Sequence, residues 1–264
     1  MPLITLTSDF GIQNHVVSAV KGRILSALPQ SNLIDISHTL SEFNLQQAVY
    51  VFKSAIRFFP AETFHFVFCD LYASKSKQLL YVYENGQHIF CPDNGFLTLL
   101  FDEQPLRIFS LSDALPAYDF IHICDAYTQV VLQLIEQQVL ALAPLDVNDM
   151  VVKKPTYAIL NQNTLEAQVL YIDSFGNVVL NLTRTQFEKA RMGRKFRILF
   201  MHDEEINSLS EYYHDVAAGD NLCLFNSADY LEIAVNRGSA AQLFGFSTQG
   251  EKSVFYQTIK LFFE

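Results

Sequence analysis

Up to Pro144 the chain alternates short β-rich runs with helical ones, and that alternation leaves few architectures open. LITLTS (3–8) is β-rich and stops at Asp9-Phe10-Gly11. HVVSAVKGRILSALP (15–29) has apolar residues at 16, 17, 20, 24, 25 and 28, a helical spacing closed by Pro29. NLIDIS (32–37) returns to a strand, and LQQAVYVFKSAIRFF (45–59) predicts a second helix stopped by Pro60. TFHFVFCD (63–70) is a strand ending on a carboxylate. LLYVYENGQHIFCPDNG (79–95) predicts a hairpin turning at Asn85-Gly86, because both residues tolerate the positive φ of a two-residue turn. FLTLLF then reads as a short helix, and AYTQVVLQLIEQQVLAL (126–142) as a longer one that leaves His122 just before it. The expected fold class for this part is α/β with a mostly parallel central sheet.

After Pro144 the texture changes to strands and turns: 151–182, then KFRILFMH (195–202), NLCLFN (221–226) and YLEIAVNRG (230–238). The expected division is an α/β domain over 1–150 and a smaller β-rich domain over 151–264. At 264 residues, half of them hydrophobic, both can hold a core without staples.

The net charge of -10 and the lack of a Lys/Arg cluster argue against a nucleic-acid partner, which needs cations to neutralise phosphates. Cys69, Cys91, Cys124 and Cys223 are scattered with no metal-ligand spacing, so no metal site is expected. No basic leader precedes LITLTS and no window nears ~18 unbroken apolar residues. A cytoplasmic protein with no membrane partner is the expectation.

In an open α/β sheet, ligands bind beyond the C-terminal ends of the strands. Asp9, Asp70 and Asp93 stand at or just after such ends, and Asp35 lies inside NLIDIS. Any one of them is ordinary turn chemistry, since Asp bonds nearby backbone; several on one rim point to a polar site. IDSFGN (172–177) reads as a tight turn that also sets Asp173 beside Asn177. FNSADYLEIAVNRGSAA (225–241) gathers Asn226, Ser227, Glu232 and Asn236 around a strand, where alternation accounts for several polar positions. A lone histidine such as His122 is more often structural than a general base. The glycine-rich dinucleotide loop, the Walker loop, the zincin helix and the serine-hydrolase elbow are all missing.

ITLTSDFG, VKGRIL, NLIDISH, AVYVFKSAIRFFPAETFH, PDNG, YIDSFGNVVLNL and NSADYLEIAVNRGSAA occur in this order. Together they resemble the S-adenosylmethionine (SAM) hydroxide adenosyltransferase family, which also contains the SAM-dependent chlorinases and fluorinases. The resemblance implies an N-terminal α/β domain, an all-β barrel-like C-terminal domain and a homotrimer. It also implies a small-molecule nucleoside ligand, SAM or adenosine, and no cofactor, SAM being the substrate. The implied reaction is attack of water on the ribose C5′, giving adenosine and L-methionine. Fluorinases carry an additional loop, for which the path from Asp70 to Pro92 leaves little room.

The resemblance assigns Asp9 to the ribose hydroxyls, and Asp173 and Asn177 to the methionine portion and the adenine. Phe10, Asp93, Asn94, Phe175, Asn226, Ser227, Glu232, Ala234 and Asn236 complete the implied substrate-binding set. Asp70, Lys77 and His122 fall where relatives carry the Asp, Arg and His that handle the attacking water. The departures lie there too: LYASKSK replaces a Pro-Gly-Val-Gly-type loop, Lys77 replaces Arg, and His122 is followed by Ile-Cys-Asp in place of Gly-Arg-Asp. A lysine supplies charge but not a bidentate fork. Two readings stay open: a SAM hydrolase, or a SAM- or adenosine-binding protein of the same fold with impaired catalysis.

Overall fold

Side chains of a strand alternate between the two faces of its sheet, and Thr63–Phe68 (β3) uses both faces for core. Phe64, Phe66 and Phe68 pack on one side, Val67 on the other. The computed structural model describes residues 1–73, 78–101, 107–111, 117–140, 142–200, 204–246 and 258–264. It divides into two compact units, Met1–Pro155 and Thr156–Glu264.

In the first unit β3 sits centrally in a sheet with Leu3–Ser8 (β1), Asn32–Ser37 (β2), Leu79–Glu84 (β4), Gln87–Pro92 (β5), Ile108–Ser110 (β6) and Ala143–Leu145 (β7). The strand order is β2-β1-β3-β5-β4-β6-β7. Helices Val16–Ala27 (α1) and Phe120–Ile135 (α4) cover one face through Ile24, Ile123 and Tyr127. Leu45–Ile56 (α2) and Phe96–Leu100 (α3) cover the other through Phe52, Phe96 and Leu97.

The sheet is mixed, which corrects the expectation of a mostly parallel one. β1 pairs parallel with β2 and β3, and β3 with β5, whereas β4–β5, β4–β6 and β6–β7 are antiparallel. The physical reason is the Asn85-Gly86 turn. Both residues adopt positive φ, 52° and 77°, which returns β5 directly alongside β4, and a two-residue link can join only antiparallel strands.

The helix expected over 126–142 runs instead from Phe120 to Ile135. Asp119 is its N-cap, accepting the Ile121 and His122 N–H groups at 3.0 Å each, so His122 lies in the first turn. That cap, inside DFIHICDAY, was the available signal.

The second unit is an antiparallel sheet of Ile159–Asn161 (β8), Thr164–Ile172 (β9), Val178–Thr183 (β10), Phe196–Leu199 (β11), Glu205–Ile206 (β12), Asn221–Phe225 (β13), Tyr230–Val235 (β14) and Thr258–Phe263 (β15). Its order is β12-β11-β15-β9-β10-β14-β13, with β8 added on β9. The sheet nearly closes on itself: just after β12, Ser210 N–H donates to Cys223 O of β13 at 2.8 Å. The barrel-like unit also carries two short helices, Arg184–Arg191 (α5) and Ala240–Phe244 (α6). Thr183 and Gln186 form a capping box that starts α5, and Phe187 anchors it in the barrel core.

Replacing Gly86 by Ala tests the hairpin. A Cβ at φ 77° would also stand 3.4 Å from Ala61 Cβ. The expected loss is about 1–2 kcal/mol of unfolding free energy, read from urea titration; an unchanged midpoint would contradict the turn geometry.

Candidate functional site

β1, β3 and β5 run parallel, so their C-terminal ends share one rim. Asp9 follows β1, Asp70 follows β3, and Asp93-Asn94 follows β5. Asp70 N–H donates to Asp9 Oδ2 at 2.9 Å, joining neighbouring strand ends. Asp70 itself adopts φ 49°, a left-handed kink that turns the chain away from the sheet.

Asn94 fixes that kink. Its Nδ2 donates to Cys69 O at 2.8 Å and Asp70 O at 3.0 Å, while its Oδ1 accepts Phe96 N–H at 3.1 Å. Asp93 accepts Val151 N–H on Oδ1 at 2.9 Å. Its Oδ2 is buried without a hydrogen-bond partner among the described residues. Burial therefore raises the Asp93 carboxyl above its ordinary value, against the lowering effect of the Val151 N–H.

Asp9 is raised as well. Burial is the largest cause, and the neighbouring Asp70 charge adds to it; the backbone N–H groups of Asp70, Asp9 and Phe43 oppose it. Phe43 stands in SEFNL, where no motif marks it. Its φ is 61° and the residue is 75% exposed, so a strained residue beside Asp9 presents an aromatic side chain to solvent. Phe10 packs inward against Phe68 (5.8 Å between centroids) and Phe120 (6.1 Å), linking β1, β3 and the start of α4. Tyr72 and Tyr118 form an edge-to-face pair at 6.2 Å just beyond Asp70. Burial, with Tyr72 and Asp93 nearby, pushes the Tyr118 phenol up to about 12.

Other expected residues have different partners. Asp35 contacts Lys21 Nζ at 2.6 Å and His38 at 3.0 Å, and His38 Nδ1 is 2.7 Å from Ser8 Oγ, so Asp35 belongs to a structural network beneath the rim. His122 Nδ1 lies 2.8 Å from Asp119 Oδ2, and no hydrogen bond or ion pair joins it to Asp70 among the described residues. Asp125 pairs bidentately with Arg23 at 2.6 and 2.9 Å, tying α4 to α1. Lys77 lies outside the described residues.

In the second unit Asp173 accepts the Phe175 and Asn177 N–H groups at 2.9 Å each and Asn177 Nδ2 at 3.0 Å. Gly176 sits at φ 81°, where a Cβ would fall 2.0 Å from Ser239 Oγ. This turn leaves the Phe175 ring exposed. Glu232 is buried, accepting from Tyr213 Oη at 2.6 Å and Asn226 Nδ2 at 3.2 Å. Burial raises its carboxyl, and the charge of nearby Asp173 raises it further, against the two hydrogen bonds. Ser227 is exposed, Ala234 is packed against Leu222 and Leu224, and Asn236 Nδ2 is bound to Val216 O at 2.8 Å. Among the described residues no group of three or more His, Cys, Asp or Glu could hold a metal, and no helix is long and apolar enough to cross a membrane.

Residues 4–143 match the family model of the SAM hydroxide adenosyltransferase N-terminal domain, and residues 167–252 that of the SAM hydroxide adenosyltransferase C-terminal domain. A relative from Methanocaldococcus jannaschii, named (R)-S-adenosyl-L-methionine hydrolase, is 26% identical over 269 residues, covering 97% of each chain. A fluorinase from an Actinoplanes species is 24% identical over 285 residues, covering 91% of this chain and 93% of that one. Among solved structures, an uncharacterized conserved protein from Thermotoga maritima superposes with a TM-score of 0.76 at 25% identity, covering 98% of this chain and 99% of that one.

The buried Asp93 predicts a pH signature. Its folded pKa is raised, so the unfolded chain ionises first as pH climbs, and the wild type loses stability relative to Asp93→Asn. The gap should begin to open near pH ~3.9, the unfolded value, and level off above the folded one. Urea titrations from acid to neutral pH check this; parallel stability curves would contradict it.

Proposed function

Because the chain belongs to the SAM hydroxide adenosyltransferase family, we propose that it hydrolyses SAM to adenosine and L-methionine. Water oxygen bonds to the ribose C5′, the C5′–sulfur bond breaks with its electron pair going to sulfur, and the water gives up one proton. The sulfonium is already a good leaving group, so the protein's task is to hold the reactants in line and away from bulk water.

The observation that carries this reading is the Asp9–Asp70–Asn94 cluster at the ends of β1, β3 and β5. Asp9, fixed by backbone donors, suits a pair of ribose hydroxyls. Asp70, kinked off the strand, aims the attacking water. Phe43 supplies a ring for the purine beside Asp9, and Tyr72 with Tyr118 offers aromatic faces to the sulfonium cation. His122, oriented by Asp119, is assigned to the departing proton, and Lys77 to stabilising the developing hydroxide. Phe10, Asp93, Asp173, Phe175, Asn177, Asn226, Ser227, Glu232, Ala234 and Asn236 stay within the proposed ligand-binding set on the strength of the resemblance. So do the homotrimer and the cytoplasmic setting.

A second reading, a SAM- or adenosine-binding protein without turnover, is favoured by the loop that follows Asp70, where LYASKSK replaces the glycine-containing sequence. Incubation with SAM, with adenosine followed by chromatography, separates the two. The hydrolase reading expects adenosine, its loss in Asp70→Ala with SAM binding retained, and binding weakened about 10–100-fold in Asp9→Ala, the worth of a charged hydrogen bond. Tight binding by the wild type with no adenosine after hours would establish the second reading.

A further inference from the structure

The segment after β7 is stitched onto the turn that follows β5. Val151 N–H donates to Asp93 Oδ1 at 2.9 Å, and Lys153 N–H donates to Thr98 Oγ1 at 3.0 Å. The Thr98 hydroxyl lies 3.2 Å from Lys153 O and 3.0 Å from Gly95 O, within reach of either as donor. The backbone of Lys153 is thereby held on both sides by one side chain.

The Lys153 stem then crosses Gly95. A Cβ on Gly95 would stand 2.5 Å from Lys153 Cγ and 2.8 Å from its Cβ and Cδ, and Gly95 adopts φ 95°, so a side chain there is barred twice. Past Gly95 the ammonium reaches Asp70, with Nζ 3.9 Å from Oδ2. The Asp70 side chain is 10% exposed and that of Lys153 42%. A half-exposed cation thus meets a nearly buried carboxylate on a stem that packing and backbone bonds have already aimed.

We propose that Lys153 is a positioning residue for the hydrolysis, holding the Asp70 carboxylate in the orientation that directs the attacking water. This rests on the hydrolase reading. An ammonium 3.9 Å from one carboxylate oxygen biases the side-chain rotation of Asp70 by charge attraction and leaves the other oxygen for water. Because Lys153 acts through Asp70 and not on the nucleoside, its loss lowers kcat and leaves KM for SAM nearly unchanged.

The test uses Lys153→Met, which keeps the apolar stem over Gly95, and Lys153→Cys before and after alkylation with 2-bromoethylamine. Alkylation rebuilds an ammonium on a side chain of the same length. It is selective, because Cys69, Cys91, Cys124 and Cys223 are all buried. Lys153→Met should lose up to about 100-fold in kcat, the cost of a misaimed reacting group, with KM within about threefold of wild type. Aminoethylated Lys153→Cys should recover most of the lost kcat, which a purely structural role would not give. Full kcat in Lys153→Met, or no recovery on aminoethylation of a protein that melts like wild type, would overturn the role of Lys153 alone. A wild type that releases no adenosine would overturn the hydrolase reading and this role together.

Discussion

A carboxylate can be drawn into a protein only where donors replace the water it gives up. Asp9 meets that condition through backbone: Asp70 N–H at 2.9 Å, with Asp9 and Phe43 N–H groups beside it. The Asp9–Asp70 bond requires β1 and β3 to be parallel neighbours ending level, which their in-register pairing from Ile4–Phe64 to Ser8–Phe68 provides. It also requires the kink at Asp70, and that kink depends on Asn94 bonding the two carbonyls of Cys69 and Asp70. The rim is a chain of mutual supports across three strands.

The same chain carries a cost. Asp9 and Asp93 are both raised by burial, so each charge opposes folding at neutral pH. Asp93 keeps one oxygen without a partner among the described residues. A fold selected for stability alone would place amides or apolar residues there. Acidic groups held against desolvation make this rim a candidate ligand site, and the proposed sulfonium nucleoside, cationic at sulfur and rich in hydroxyl donors at the ribose, would match them.

Much of this was legible in the sequence because it rests on local chemistry. Asn85-Gly86 announces a turn with positive φ at both positions, and Pro29 and Pro60 announce helix ends. The strand-end aspartates follow from the same local logic. What was not legible depends on pairing at a distance. The antiparallel β4–β5 pair follows from the local Asn85-Gly86 turn, but the addition of β6 and β7 beyond β4, also antiparallel, is decided by the sheet, so half of its pairings depart from a parallel plan. The apolar periodicity of 126–142 does not reach back to His122, whose place in the helix is set by the Asp119 cap. Phe43 and Lys153 carry no motif at all. One meets Asp9 through its backbone, and the other reaches Asp70 only because Gly95 leaves a path across the β5 turn.

The central claim is that the Asp9–Asp70 rim directs water to the ribose C5′. The most direct measurement is hydrolysis of SAM in ¹⁸O-enriched water with mass analysis of the products. The expected products are adenosine with one heavy oxygen in its 5′-hydroxyl and unlabelled methionine. Heavy oxygen in the amino-acid product, with 5′-methylthioadenosine in place of adenosine, would contradict the claim, as would an unchanged yield of labelled adenosine from Asp70→Ala.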